Sequence, residues 1–335
     1  MDHQPAECRE DPARPLVPAH ALPSRDREGA VGQLSGNSVI KRLSYLWLPG
    51  LLLYFGCLIP ATAQDFENIM SERVATGMVY VDGLTWSRDG FLVFSDALRK
   101  TVYRLDPTGP PKPTEENRNG AEGLAYDAQF RLYLCEPALH RVVRMDRRGK
   151  AEVLAETYQG KKFNGPNDIV VRKDGNVYFT DPAFVSGTET RELDYNGIYR
   201  ITPKGELEVV AKWTTRPNGI TVSGDGKSLF VTDSDRRTLV AFDLDGKGAA
   251  SNQRDLFGKI PGIPGGIRTD VNGRFYIAAK GLGVYTREGK LVHTFLPTEV
   301  ITNCTFGDSD METLYASARK AVYKIRLGVK GAVQY

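Results

Sequence analysis

Phe163-Asn164-Gly165-Pro166-Asn167-Asp168-Ile169-Val170-Val171 sets an amide and a carboxylate directly ahead of an apolar, β-branched run. Asn-Gly-Pro is turn chemistry, and Ile-Val-Val is strand chemistry. The same layout of turn, polar residue and apolar run recurs. Asp82-Gly83-Leu84-Thr85-Trp86 and Glu122-Gly123-Leu124-Ala125-Tyr126 precede it, and Asn218-Gly219-Ile220-Thr221-Val222, Gly265-Gly266-Ile267-Arg268-Thr269 and Asn303-Cys304-Thr305-Phe306 follow it. That makes six copies, the fifth with Gly in the polar place. Their lead residues lie 40, 45, 51, 47 and 38 positions apart, the period of a radial or stacked array rather than of one continuous sheet.

Each copy runs through a polar turn into further short strands. Ser87-Arg88-Asp89-Gly90 leads to Phe91-Leu92-Val93-Phe94 and then to Thr101-Val102-Tyr103-Arg104-Leu105; Ser223-Gly224-Asp225-Gly226 leads to Ser228–Asp233 and then Thr238–Phe242. Short β-rich runs bounded by Asp-Gly, Asn-Gly and Pro read as antiparallel strands with tight turns. The fold expected is therefore all-β, a six-bladed β-propeller with four-stranded blades occupying residues 64–335. Its first strands line a central channel and gather the lead residues into one ring. Outer strands are expected at Ala151–Leu154, Leu207–Val210 and Leu291–Phe295, with longer insertions around Val185–Tyr195 and Gly246–Asp255. The last repeat ends at Val322–Leu327 with little chain left, so a strand around Ser71–Ala75 is expected to complete that blade and cover its open edge.

The length of 335 residues suits one such array. A net charge of +3 with no long basic run gives no reason to expect nucleic acid as a partner. Residues 1–38 are rich in Pro, Arg and charge without periodicity, an unstructured leader in composition. Lys41-Arg42, the apolar stretch Leu46–Ile59 and Ala61-Thr62-Ala63 form a signal-peptide pattern over residues 39–63, with cleavage before Gln64. This predicts a periplasmic or secreted protein with no stable membrane insertion after cleavage, the alternative being a retained membrane anchor. Translation starting near Val39 would account for the leader. Cys135 and Cys304 sit in apolar strands of different repeats and are expected as buried free thiols.

Lead residues Asp82, Glu122, Asn167, Asn218, Gly265 and Asn303 give a ring in which every polar member offers oxygen. Two carboxylates and three amides are a hard-donor set suited to Ca²⁺. Beyond the signal only His140 and His293 occur, neither at a lead position, which removes the usual imidazole zinc site. His140 is expected on the surface of the second blade. Asp and Asn also start turns, so a single lead residue proves little; their shared position in successive repeats is what points to a site. No Gly-x-Ser-x-Gly and no Gly-rich phosphate loop occur. Metal-assisted hydrolysis remains, with a cation polarising a carbonyl or phosphoryl oxygen and a carboxylate taking a proton from water.

Tyr158–Val171 together with Gly175–Pro182, and Arg216-Pro217-Asn218-Gly219-Ile220 together with Val231-Thr232-Asp233-Ser234, resemble the gluconolactonase, senescence-marker-protein and luciferin-regenerating-enzyme family, regucalcin-like members included. The resemblance spans roughly residues 70–327. It implies a six-bladed propeller, one divalent cation, most often Ca²⁺, and hydrolysis of a small-molecule lactone or ester. The family holds its metal with a Glu opening the first blade, an Asn in or near Pro-Asn-Asp, an Asn in Pro-Asn-Gly and an Asp opening the fifth blade. Asn167 and Asn218 match, Asp82 stands in place of the Glu, and Gly265 stands in place of the Asp that is ligand and base. Glu122 restores a second carboxylate. The resulting assignment is a displaced metal on Asp82, Glu122, Asn167 and Asn218, with Glu122 or Asp168 as base and Asn303 at the substrate. The alternative is a non-catalytic propeller that lost its base at Gly265 and binds a ligand or protein; phosphotriester hydrolysis on the same cation is a third possibility.

Overall fold

The computed structural model describes residues 65–117, 119–184 and 191–333. The leader and signal segment expected above lie outside them, as do residues 185–190 of the third-repeat insertion.

After β1 (Ser71–Thr76), the first sheet consists of β2 (Val81–Ser87), β3 (Phe91–Asp96), β4 (Thr101–Leu105) and β5 (Lys112–Asn117). The second is β6 (Leu124–Tyr126), β7 (Leu132–Glu136), β8 (Arg141–Met145) and β9 (Ala151–Ala155). A small ribbon of β10 (Thr157–Tyr158) and β11 (Lys161–Lys162) precedes the third sheet, β12 (Ile169–Val171), β13 (Val177–Asp181), β14 (Asn196–Ile201) and β15 (Leu207–Trp213). The fourth is β16 (Pro217–Val222), β17 (Ser228–Asp233), β18 (Thr238–Leu244) and β19 (Ala250–Phe257). Strands β20 (Ile267–Thr269), β21 (Phe275–Tyr285), β22 (Leu291–Gly307), β23 (Thr313–Ala318) and β24 (Ala321–Arg326) join β1 in one six-stranded sheet. The arrangement is all-β and propeller-like, with four separate four-stranded antiparallel sheets.

The six-stranded sheet departs from the expected separate units because β22 runs on without a break. Its Leu291–Val300 stretch, bent at Leu296 where φ is 50°, pairs with β21, and its Ile301–Gly307 stretch pairs with β23. The insertion expected around Gly246–Asp255 is instead a hairpin turn feeding β19, which pairs with β18 from Leu244↔Ala250 to Leu239↔Phe257. The anticipated N-terminal strand is β1, which pairs with β24 from Ser71↔Ile325 to Thr76↔Ala321 through a bulge between Arg73 and Ala75. β1 thus covers the edge that β24 would otherwise leave open. Around this seam Ala75, Leu84, Trp86, Phe94, Tyr315 and Val322 form one apolar cluster, and the Trp86 and Tyr315 rings stack at 5.6 Å. Such an aromatic pair adds about 0.5–1.5 kcal/mol beyond the area it buries.

The inner strands form a circuit: β2 lies beside β6, β6 beside β12, β12 beside β16, β16 beside β20, β20 beside β22, and β22 beside β2. The glycines after the lead residues permit this spacing. A Cβ on Gly83 would lie 1.8 Å from the Glu122 carbonyl oxygen, and one on Gly219 would lie 2.1 Å from the Gly265 carbonyl oxygen. Neighbouring inner strands therefore meet backbone to backbone, and the lead side chains converge at one end of the circuit.

Candidate functional site at the channel mouth

Two features of the second strands hold the lead residues in place. Hydroxyls reach across to the next inner strand. Thr180 Oγ1 donates to the Asn218 carbonyl at 2.7 Å, Thr232 Oγ1 to Gly265 at 2.8 Å, Ser317 Oγ to Asp82 at 2.8 Å and Ser95 Oγ to Glu122 at 3.3 Å. Carboxylates follow three of these four hydroxyls in sequence, and all three are fully buried. Asp96 accepts the Val79 and Tyr80 N–H groups at 2.8 and 3.0 Å, and Asp181 those of Asn164 and Gly165 at 2.9 and 2.7 Å. Asp233 accepts Thr215 Oγ1 at 2.6 Å and the Arg236 N–H at 2.9 Å. They tie down the loops that deliver the lead residues. Sequence reasoning did not single them out, although Ser95-Asp96, Thr180-Asp181 and Thr232-Asp233 end successive second strands.

Within the ring, Asn167 Nδ2 donates to Glu122 Oε2, and Asn218 Nδ2 donates to Ser234 Oγ at 3.1 Å. Each amide donates one N–H to the protein, and neither amide oxygen has a hydrogen-bond partner among the described residues. Asp82 and Glu122 are partly open to solvent, and neither forms an ion pair among the described residues. Burial pushes the Asp82 carboxyl well above the usual range, and the negative charges of Glu122 and Asp168 push it further. Glu122 is pushed up to about 7, by burial against the opposing pull of the Asn167 hydrogen bond, with Asp168 adding repulsion. The Tyr80 phenol beside them is raised by burial and by the same two carboxylates.

Asp168 takes a different place. It occupies the position that is Gly in four of the other repeats and is only 2 % exposed. Its Oδ2 accepts the Ile220 N–H at 3.0 Å, and its Oδ1 accepts Asn303 Nδ2 at 3.4 Å, from an inner strand three places away in the circuit. Burial raises its carboxyl, and the Arg268 guanidinium is the strongest opposing influence. Asn303, also 2 % exposed, hydrogen-bonds Asp82 as well as Asp168, so its amide sits behind the ring. Arg268 was not foreseen from sequence. Placed three residues after the Gly265 that lacks a carboxylate, it lines the channel beyond Asp168 with Thr85, Leu124, Thr221 and Thr305.

Gly265 is closed in by backbone: an added Cβ would lie 2.5 Å from the Thr302 carbonyl oxygen. His140 lies off the ring at the joint between the second and third sheets, half-buried, its Nδ1 2.9 Å from the Phe163 carbonyl oxygen. Cys135 and Cys304 are buried and free as expected, with burial raising both thiols, Cys304 to about 12.

Among the described residues no three or more His, Cys, Asp and Glu side chains cluster in a way that could hold a metal ion. The set in question is of another kind, two unpaired carboxylates beside two unpartnered amide oxygens. All four donors are hard oxygen, which fits Ca²⁺ by chemistry.

A family model described as the SMP-30/Gluconolactonase/LRE-like region matches residues 81–320. A gluconolactonase of Zymomonas mobilis is 27% identical over 287 residues, covering 76% of this chain and 80% of its own length. Regucalcin of Bos taurus is 29% identical over 308 residues, covering 83% and 96%. Among solved structures, a gluconolactonase from Xanthomonas campestris superposes with a TM-score of 0.74 at 27% identity, covering 80% of this chain and 93% of that one.

Proposed function

The chain belongs to the SMP-30/gluconolactonase/LRE-like family, and from this we propose that it is a hydrolase that opens a small lactone or sugar-derived ester at the channel mouth. The observation carrying this reading is the convergence of Asp82 and Glu122 with the unpartnered oxygens of Asn167 and Asn218. Six blades belong to the same proposal. The circuit of six inner strands supports it, as does counting the six-stranded sheet as two blades that share β22. Folding β21 back at Gly281, where φ is 76°, would supply the fifth blade's middle strands.

Asp82, Glu122, Asn167 and Asn218 would hold a divalent cation, Ca²⁺ being the best match to oxygen donors. Bound there, it would polarise the scissile carbonyl. Of the two candidate bases, Glu122 suits the role: it keeps contact with solvent and faces the space that the ring members share, where a water would lie. Asp168, with both oxygens engaged inside the channel, fixes the charge behind the ring instead. Asn303 positions Asp82 and Asp168 rather than reaching substrate. Export through residues 39–63 belongs to this proposal too, the alternative being a membrane anchor. N-terminal sequencing of exported protein should begin at Gln64, and peptides from residues 1–38 would count against it.

The crowded Gly265 favours a second reading, a binding module without turnover. A lactonase assay across a panel of lactones separates the two. Hydrolysis that stops with chelator and returns with Ca²⁺ supports the enzyme; cation binding without turnover on any lactone supports the module.

A further inference from the structure

The end of the molecule that carries the lead residues also carries the turns between second and third strands. Ala97 donates its N–H to the Tyr80 carbonyl at 2.9 Å, Val81 to Arg319 at 2.7 Å, Ile260 to Arg237 at 3.1 Å and Lys280 to Pro261 at 3.3 Å. These bonds pin Lys100, Arg237, Lys259, Lys280, Arg319 and Lys320 around one sector of the mouth, all exposed. None of the six forms an ion pair among the described residues. Asp82 lies within the ring, and two acidic side chains on the rim itself are occupied. Asp235 pairs with Arg216, and Glu299 accepts the Tyr323 hydroxyl at 2.9 Å with Arg73 3.8 Å away.

Large apolar side chains stand exposed between these cations. Leu98 is 69% exposed, Ile263 62%, Val300 48% and Val79 42%. The interleaving is local: Lys280 is the register partner of Val300 and packs against Gly262 next to Ile263, while Leu98 and Lys100 share one turn. Val79 sits between Met78 and Tyr80, whose neighbours across the seam are Lys320 and Arg319.

From this juxtaposition we infer that the basic, apolar rim of the mouth, from the fourth sheet round to the first, docks on an anionic lipid bilayer. A dissolved anion would be served by the lysines and arginines alone and would leave Leu98 and Ile263 against water. A bilayer uses both, drawing the cations to its headgroups and taking the apolar tips into the headgroup boundary. Docked this way, the channel opens onto the lipid surface.

Vesicle co-sedimentation of the full chain tests this, using phosphatidylcholine vesicles with and without phosphatidylglycerol, at low and high salt. Any contribution of the N-terminal apolar stretch is common to parent and variants and cancels in the comparison. The parent should bind the anionic vesicles far better, and salt should weaken that binding. Lys280→Glu with Lys320→Glu should cost at least about twenty-fold, since each basic group near an anionic surface is worth about five-fold. Leu98→Ser with Ile263→Ser should cost several-fold at unchanged net charge. Circular-dichroism melts matching the parent establish that these exposed substitutions leave the fold intact. Binding to the anionic vesicles that neither pair of substitutions weakens relative to the parent overturns the inference. So does binding abolished by the charge reversals but indifferent to Leu98→Ser and Ile263→Ser, which would mark the rim as a surface for a soluble anion or protein.

Discussion

Asp168 and Glu122 show how one residue's surroundings separate two chemically similar groups. Both carboxyls are raised by burial, yet Asp168 is boxed by the Ile220 N–H, Asn303 and Arg268, while Glu122 faces its fellow ring members. Glu122→Gln is therefore expected to weaken Ca²⁺ binding in calorimetry and to lower lactone turnover by about 100-fold, the usual scale for a lost general base. Unchanged affinity would reject its place among the ligands. Gly265 yields a second prediction. Since even a Cβ would collide with the Thr302 carbonyl, Gly265→Asp should not restore the family's arrangement, and should destabilise the chain by at least about 2 kcal/mol in thermal or denaturant unfolding. A Gly265→Asp protein that melts like the parent would show that the inner strands can part there.

At the scale of single elements, the second strands act as fixtures for the loops beside them. Asp181 at the end of β13 holds the Asn164-Gly165 turn that opens the third repeat, and burial pushes its carboxyl up to about 6. A carboxyl whose folded pKa lies above its unfolded value binds its proton more tightly in the folded state. Its contribution to stability is then full below about pH 4 and is lost as pH rises through about 6. Asp181→Asn removes this titration. The stability gap between parent and variant, measured by denaturant unfolding, should shift in favour of the variant between pH 4 and pH 7, by on the order of 1–3 kcal/mol. A gap independent of pH would mean that the N–H donors offset burial completely. These strands were partly legible beforehand, since their apolar alternation and Asp-Gly turns are local signals. The role of their terminal carboxylates was not, because the groups they hold in the preceding loops, N–H donors for Asp96 and Asp181 and the Thr215 hydroxyl for Asp233, lie 16 to 18 residues earlier.

For the whole molecule, closure rests on the seam where β1 pairs with β24 and Trp86 stacks on Tyr315. Trp86→Ala should cost about 3–5 kcal/mol and broaden the melting transition, as it removes the largest side chain shared by the first sheet and the last. A sharp transition near the parent's midpoint would show that strand pairing closes the array by itself. The seam was legible in outline, because a final repeat short of one strand needs an edge partner from elsewhere in the chain. Its register and bulge were not, since they depend on how two distant strands twist against each other.

Local pattern alone determined the strand and turn chemistry, the recurrence of a polar residue ahead of each inner strand, and the oxygen character of the ring, because each is written within a few neighbouring residues. Tertiary structure decided which ring members face a shared space, that Asp168 and Asn303 lie behind it, that Arg268 enters the channel, and that Gly265 has no room for a replacement. Those outcomes depend on distances between inner strands some 40 to 50 residues apart along the chain, which are set by backbone contact and buried hydrogen bonds rather than by any local propensity.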